Sequence, residues 1–151
     1  MEIKQLFKKD IGSILELESI HAPKLPHYFP YDRKELDDYL MGGAFEAFGM
    51  VDGDKLIAWS AYKKTDDNSY EICSLVLDKN YRKKGLGKKL LLYVIEQIRS
   101  KYKNVRIHLS VSPINLPALL LYLNSGFIIY DYKKDYFGPG VDRVLLQLPP
   151  S

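Results

Sequence analysis

A basic segment that contains two glycines holds the residues of this chain best suited to chemistry. Residues 81–89 read YRKKGLGKK, in which Arg82, Gly85 and Gly87 form the pattern R-x-x-G-x-G. The segment lies between a strand-like run, 70–77, and an amphipathic helical run. Glycines at such a junction let the backbone approach a ligand, and the first helical N–H groups lack partners within the helix. Together with the helix dipole and the cations, they predict an anion site for a phosphate-bearing cofactor.

The spacing of these residues excludes two common phosphate-binding loops. A Walker A loop requires glycine and then serine or threonine where this chain has Arg82 and Lys89. A dinucleotide-binding fingerprint requires a third glycine at the place of Leu90, and an acid where Val105 lies. A solvated basic turn or a nucleic-acid patch is the alternative that the segment alone leaves open.

A second motif, NLPALLLYLNSGF, runs from Asn115 to Phe127. Asn115 and Tyr122 are separated by two helical turns, so they share a helix face with the small Ala118 between them. A small residue there lets a narrow ligand run along the helix. The alternative is that Tyr122 packs in the core and Asn115 only caps the helix.

The rest of the sequence predicts an α/β (α+β) fold, one mixed sheet with helices on both faces. The order is β1-α1-α2-β2-β3-β4-α3-β5-α4-β6-β7, in a single domain over residues 1–151. The expected strands are 2–7, 44–51, 55–63, 70–77, 105–111, 127–132 and 141–148. The expected helices are 10–20, a short one that ends at Leu40, 85–102 and 115–124.

Composition restricts the class of protein. The 151 residues are 46% hydrophobic and 27% charged, which is ordinary for a globular domain, and a net charge of +3 does not by itself indicate a nucleic-acid partner. The N-terminal residues lack the apolar core of a signal peptide, and no apolar run is long enough to span a bilayer. Cys73 is the only cysteine, which fits a reducing cytoplasm. We therefore expect a cytoplasmic protein without a membrane partner, a nucleic-acid partner or a bound metal.

The two motifs together resemble the GNAT superfamily of acyl-CoA-dependent N-acyltransferases. The resemblance covers residues 71–127, with R-x-x-G-x-G followed by N-x-x-A-x-x-L-Y-x-x-x-G-F. It implies a sheet whose central parallel strands splay apart to admit acetyl-CoA, and a homodimer. It also implies direct acetyl transfer, in a ternary complex, to a primary amine of a protein or peptide N-terminus, a lysine or a small molecule. A CoA-binding regulatory module without turnover is the alternative.

The resemblance also implies which residues contact the cofactor. The N–H groups of residues 83–88 would bind the pyrophosphate, and the backbone of the preceding strand would bind the thioester carbonyl and the pantetheine arm. Asn115 would hydrogen-bond the pantetheine. The cofactor-binding residues so implied are Leu75, Leu77, Arg82, Lys83, Lys84, Gly85, Leu86, Gly87, Lys88, Asn115 and Tyr122.

Three residues are expected to take part in catalysis. By resemblance, Tyr122 donates a proton to the departing CoA sulfur. Glu71 is the first choice of general base, because it precedes Gly85 by the spacing that the histone acetyltransferase branch uses. His108, on the neighbouring strand, is the second choice. Related N-terminal acetyltransferases place a glutamate or histidine where this chain has Ser110, which cannot act as a base at neutral pH.

The acceptor amine is expected to lie between two segments, 21–31 and 131–146. The family varies its acceptor through these two regions. The second resembles the tyrosine-bearing hairpin of enzymes that acetylate protein N-termini, although only one of the two tyrosines is present. Aromatic walls suit a peptide, a polyamine or another small amine. The predicted substrate-binding residues are Tyr28, Phe29, Tyr31 and Tyr136, with His27 in the same aromatic loop.

Overall fold

The computed structural model describes residues 1–26 and 28–149, so His27 lies outside the described residues. Within these residues, seven strands and four helices follow the order that the sequence predicts. The strands are β1 (Glu2–Leu6), β2 (Phe45–Asp52), β3 (Lys55–Asp66), β4 (Ser69–Leu77), β5 (Arg106–Val111), β6 (Ile128–Lys133) and β7 (Arg143–Gln147). The helices are α1 (Ile11–His21), α2 (Arg33–Met41), α3 (Leu86–Lys101) and α4 (Leu116–Asn124), with short 3-10 turns at Lys8–Asp10 and Lys79–Tyr81.

The strands form one sheet in the order β1-β2-β3-β4-β5-β7-β6. The β4–β5 pair is parallel and the other neighbours are antiparallel. The first four strands are therefore consecutive neighbours, and α3 makes the crossover that a parallel pair requires. The mixed sheet expected from the sequence is confirmed.

Each face of the sheet carries its own hydrophobic core. Alternate side chains of a strand point to opposite faces: in β2, Ala47 packs on one side and Phe48 on the other. One core joins the sheet to α1 and α2 and contains Leu6, Ile11, Ile14, Leu17, Leu36, Phe45, Ala47, Trp59, Ala61 and Val76. The other joins it to α3 and α4 and includes Leu90, Val94, Ile98, Ile107, Leu109, Tyr122 and Phe127. Helices on both faces are thus confirmed.

Local sequence explains where the helices begin and end. Asp32 caps α2 in a reciprocal capping box with Glu35, with backbone-to-carboxylate distances of 2.8 and 3.2 Å. Asn115 caps α4, and Gly126, just beyond that helix, has a φ of +99°. Gly85 precedes α3 with a φ of +76°, a left-handed conformation that side chains disfavour.

Two details differ from the sequence-based expectation. Strand β3 extends to Asp66, beyond the expected end at 63, because it keeps pairing with β4 across two register shifts. Its last residues, 64–66, are exposed, so the hydrophobic pattern does not reveal them. The second detail is in α1, where the charged Glu18 is buried among the apolar residues that face the sheet.

No helix in the described part of the chain is long and apolar enough to cross a membrane. The longest, α3, has 16 residues, whereas a span needs roughly 20 apolar ones. Residues 1–26 and 28–149 also contain no group of three or more His, Cys, Asp or Glu side chains that could hold a metal ion.

Candidate active site

The two parallel strands separate soon after they meet. Strand β4 pairs with β5 only at residues 69–71, opposite 106–108. Further along, β4 keeps β3 as its neighbour on one side, while β5 pairs with β7. Among the described residues, no strand lies beside the other edge of β4 over residues 72–77, so a wedge opens in the sheet. The splayed strands implied by the resemblance are confirmed.

Between β4 and α3, the backbone presents several N–H groups without acceptors. Among the described residues, no backbone or side-chain acceptor takes a hydrogen bond from the amides of residues 83–88. The next amide, that of Lys89, donates to the Gly85 carbonyl at 3.1 Å. Lys83 and Gly85 both have left-handed backbones, with φ of +63° and +76°. Free donors at the positive end of a helix dipole suit an anion such as a pyrophosphate.

Side-chain contacts of Asp78 and Arg82 hold this segment, residues 82–88, which we call the glycine loop, against α1 and β4. Asp78 is fully buried and accepts from the Asn80 amide at 2.8 Å, and its Oδ2 lies 3.4 Å from His21 Nε2. The Arg82 Nη2 atom donates to the carbonyls of His21 and Leu77, at 3.1 and 3.3 Å. Arg82 was expected among the cofactor-binding residues. In the structure, its Nη2 atom is hydrogen-bonded to the backbone and holds the loop in place.

A cavity of 490 Å³ lies beside the wedge, and most of the other predicted site residues line it. Its walls come from β4, β5, α4, the loop after α1 and the segment before β7. The predicted residues that line it are Tyr28, Phe29, Tyr31, Glu71, Leu75, Asn115, Tyr122 and Tyr136. Leu77, His108 and the glycine loop are not among its lining residues.

Helix α4 presents Asn115, Ala118 and Tyr122 to the cavity, as the helical spacing predicts. Asn115 Oδ1 accepts from the Ala118 amide at 3.4 Å, and its Nδ2 has no partner among the described residues. Tyr122 is 8% exposed, and its hydroxyl has no hydrogen-bond partner in the same set of residues. Burial raises the Tyr122 pKa to about 12, so the phenol keeps its proton near neutral pH. It can therefore act as a proton donor.

Glu71 lines the cavity at the point where the wedge begins. Its side chain is 23% exposed, and Oε1 lies 3.8 Å from Lys63 Nζ. Burial raises the pKa of Glu71, and the nearby Lys63 opposes part of that shift. A carboxylate whose pKa lies above the ordinary glutamate value is a stronger base while it remains ionised at neutral pH.

His108 is the register neighbour of Glu71 on β5, but it does not line the cavity. Its Nε2 lies 3.0 Å from Thr65 Oγ1, toward the outer end of β3. Burial and, secondly, Arg106 lower the pKa of His108. Ser110, two residues further along β5, does line the cavity. The geometry therefore favours Glu71 over His108.

The loop after α1 forms an aromatic wall of the cavity. The hydroxyls of two of its tyrosines connect this wall to the rest of the protein. Tyr28 donates to Glu18 Oε2 at 3.2 Å, and Tyr31 lies 3.5 Å from the Cys73 carbonyl. The Tyr31 ring also makes edge-on contacts with three further rings, those of Tyr39, Phe45 and Trp59. Tyr136 and Phe137 also line the cavity, and they pack with ring centroids 4.7 Å apart.

The sequence-based interpretation missed a bulge in β4 and several lining residues. Ala61 faces Ser74 and Tyr62 faces Ile72, so Cys73 is an extra residue in β4 beside the cavity. No sequence pattern marks such a bulge. Glu18 could have been found, because it is a charged residue on the inward stripe of α1. The further lining residues that were missed include Glu35, Lys63, Cys73, Ser74 and Arg143.

Comparison with known proteins establishes the family. Residues 14–127 match the model of the Acetyltransferase (GNAT) family, which is most of the chain, and the chain belongs to that family. The [ribosomal protein bS18]-alanine N-acetyltransferase of Escherichia coli K12 is 24% identical over 134 residues, 87% of this chain and 88% of its own length. The spermine/spermidine N(1)-acetyltransferase of Bacillus subtilis is 43% identical over 51 residues, and the match spans only about a third of each protein, 34%.

Solved structures show the same fold. The S18-alanine N-acetyltransferase structure from E. coli superimposes with a TM-score of 0.82 at 22% identity, covering 99% of this chain and 94% of that one. A B. subtilis acetyltransferase solved in complex with CoA gives a TM-score of 0.75 at 22% identity, covering 99% of both chains. The resemblance found in the sequence is therefore confirmed at the level of family and fold.

Proposed function

We propose that this protein transfers an acetyl group from acetyl-CoA to a primary amine, in a ternary complex and within one domain over residues 1–151. One observation carries the proposal: a single cavity beside the wedge holds both a half-buried carboxylate, Glu71, and a phenol, Tyr122, whose hydroxyl has no partner in residues 1–26 and 28–149. The free amides of residues 83–88 and the free Nδ2 of Asn115 fit the pyrophosphate and amide groups of CoA.

The residues would act in a defined order. An alkyl ammonium is unreactive until it loses a proton, and Glu71 accepts that proton. The amine nitrogen then attacks the thioester carbonyl carbon, so a C–N bond forms and the C–S bond breaks. Tyr122 gives its proton to the departing sulfur, since a thiol leaves more readily than a thiolate, and the second proton that the nitrogen loses as the amide forms returns the Tyr122 phenolate to a phenol. Acid and base groups each contribute roughly 10² to 10⁴ in rate, and positioning the amine can contribute more.

The acceptor class is open between a peptide N-terminus, a lysine and a small amine. One relative is named for the alanine of a ribosomal protein and another for spermine and spermidine. The aromatic walls, with the carboxylates of Glu35 and Glu71, suit a cationic amine in either setting. A non-catalytic CoA-binding module is the alternative, and Glu71 and Tyr122 in one cavity argue against it.

The test combines cofactor binding with turnover. Acetyl-CoA at a hundred times its dissociation constant should stabilise the protein by about 2.7 kcal/mol in a thermal shift. Thiol release should then occur with spermine or with a peptide that begins with alanine. Stabilisation without thiol release from any amine would indicate the non-catalytic module, and absence of both would refute the proposed site.

Tyr122→Phe separates chemistry from binding. It should lower kcat by about 10²-fold, the effect of losing a general acid, and leave the acetyl-CoA KM within about twofold. The matched control is Tyr62→Phe, because Tyr62 is also a buried tyrosine but lies in the core away from the cavity. Equal kcat values for the two variants would exclude Tyr122 as the proton donor.

A further inference from the structure

Glu18 is a buried carboxylate behind the cavity that the proposed reaction does not use. It lies on α1, is 2% exposed and does not line the cavity itself. A buried carboxylate is costly unless hydrogen bonds compensate for its lost hydration, so its partners indicate why it is tolerated.

Three donors surround this carboxylate. Trp59 Nε1 donates to Oε1 at 2.9 Å, and Ser74 Oγ donates to the same oxygen at 3.4 Å. Tyr28 donates to Oε2 at 3.2 Å. The three donors come from separate parts of the chain: β3, the bulged segment of β4 and the loop after α1.

Two of these donors, Tyr28 and Ser74, line the cavity on the side of the aromatic wall. The described residues of the loop that carries Tyr28, between α1 and α2, form no helix or strand. Its wall is therefore placed against β4 largely by side-chain bonds, of which the bond to Glu18 is one. The glycine loop, by contrast, has no hydrogen bond or ion pair with Glu18 within the described part of the chain, and it is held by Asp78 and Arg82.

We propose that Glu18 is a positioning residue for the acceptor: its carboxylate fixes Tyr28 and the bulged segment of β4 as the wall that binds the amine. This inference rests on the proposed acetyl transfer. Glu18 should then influence acceptor binding and leave acetyl-CoA binding unchanged. A residue that only supported the fold would affect both substrates.

The test compares Glu18→Gln with Glu46→Gln, the same substitution at a carboxylate bonded to Lys101 on the far side of the sheet. With spermine or an alanine-initiated peptide, whichever the parent acetylates faster, Glu18→Gln should raise the acceptor KM about tenfold, as expected for a lost hydrogen bond to a charged group. The kcat and the acetyl-CoA KM should change by less than about threefold. Glu46→Gln should resemble the parent throughout.

Trp59 supplies a second readout, because it is the only tryptophan and its indole N–H donates to Glu18. In the CoA-bound parent, the same acceptor should shift the single indole N–H resonance. Tyr28→Phe removes only the hydroxyl bonded to Glu18, and should reproduce the rise in acceptor KM if Glu18→Gln does not fold.

The outcomes separate this inference from the proposed function. Three results would overturn the role of Glu18 alone. They are an unchanged acceptor KM in Glu18→Gln, an equal rise in its acetyl-CoA KM, and an indole resonance that does not shift when the acceptor binds. A parent that acetylates neither probe would overturn the proposed function, and this inference with it.

Discussion

Glu71 and Glu18 are two buried or half-buried glutamates near the cavity, and their neighbouring residues give them different roles. Burial raises the pKa of both Glu71 and Glu18. Glu71 retains access to the cavity and has one flexible cation, Lys63, at 3.8 Å. Glu18 is enclosed by three hydrogen-bond donors. The first can exchange a proton with a bound amine, whereas the second can only hold other groups in place.

The raised pKa of Glu71 predicts the acidic limb of the pH–rate profile. A general base must be ionised to accept a proton, so kcat/KM should fall as the pH drops through the pKa of Glu71. That pKa lies above the ordinary glutamate value of about 4.3. Glu71→Gln should lower kcat/KM by roughly 10²-fold and abolish this limb. His108→Ala should retain it. The opposite pattern, with the limb lost only in His108→Ala, would assign the base to His108.

At the scale of the elements, the sequence predicted the features that depend on residues close together in the chain. It did not predict those that depend on tertiary contacts. The amphipathic run that forms α3 and the shared helix face of Asn115 and Tyr122 need only neighbours in sequence, and both were predicted. The extra residue Cys73 in β4 depends on how β3 pairs with it, which no local pattern encodes. Lys63 and Arg143 reach the cavity from separate strands, so only the assembled sheet reveals them. The motif residues were predictable because their spacing within one helix or loop fixes their relative positions.

The two glycines of the glycine loop should respond to alanine in opposite ways. Gly85 has a φ of +76°, so Gly85→Ala should destabilise the fold by about 1 kcal/mol. Gly87 lies inside α3, and an added Cβ would meet Leu121 Cδ2 at an ordinary 3.6 Å. Gly87→Ala should therefore stabilise by up to about 1 kcal/mol. Denaturant unfolding measures both effects.

Both variants should nevertheless raise the Kd for CoA at least about tenfold, because close approach of the backbone to the pyrophosphate is disturbed. Gly43→Ala is the matched control, since Gly43 has a φ of +73° and open space around its Cα. It should cost the same stability without changing the Kd for CoA. Unchanged CoA binding in both glycine-loop variants would remove the loop from the cofactor site.

At the scale of the whole molecule, the sheet has two unlike edges. Strand β1 carries Glu2, Lys4 and Gln5 among its five residues, which discourages pairing with another chain. Strand β6 exposes all six of its side chains, including Ile128, Ile129 and two tyrosines. If the homodimer expected from the family forms, β6 is the edge better suited to it.

Light scattering coupled to size-exclusion chromatography tests that expectation. The parent should have the mass of two chains, and Ile129→Lys, which places a charge on β6, should have the mass of one. Met41→Lys adds the same charge to an exposed residue at the end of α2 and should remain dimeric. A parent with the mass of a single chain would contradict the homodimer.

The bulge residue of β4 has one more consequence. Cys73 lines the cavity in which the proposed thioester would react, and burial raises its pKa to about 12. Its sulfur therefore stays protonated near neutral pH, and a thiol is a far weaker nucleophile than a thiolate. An acyl donor can thus bind beside the only cysteine without transferring its acyl group to the cysteine sulfur. Burial would protect the protein from self-inactivation by its own co-substrate.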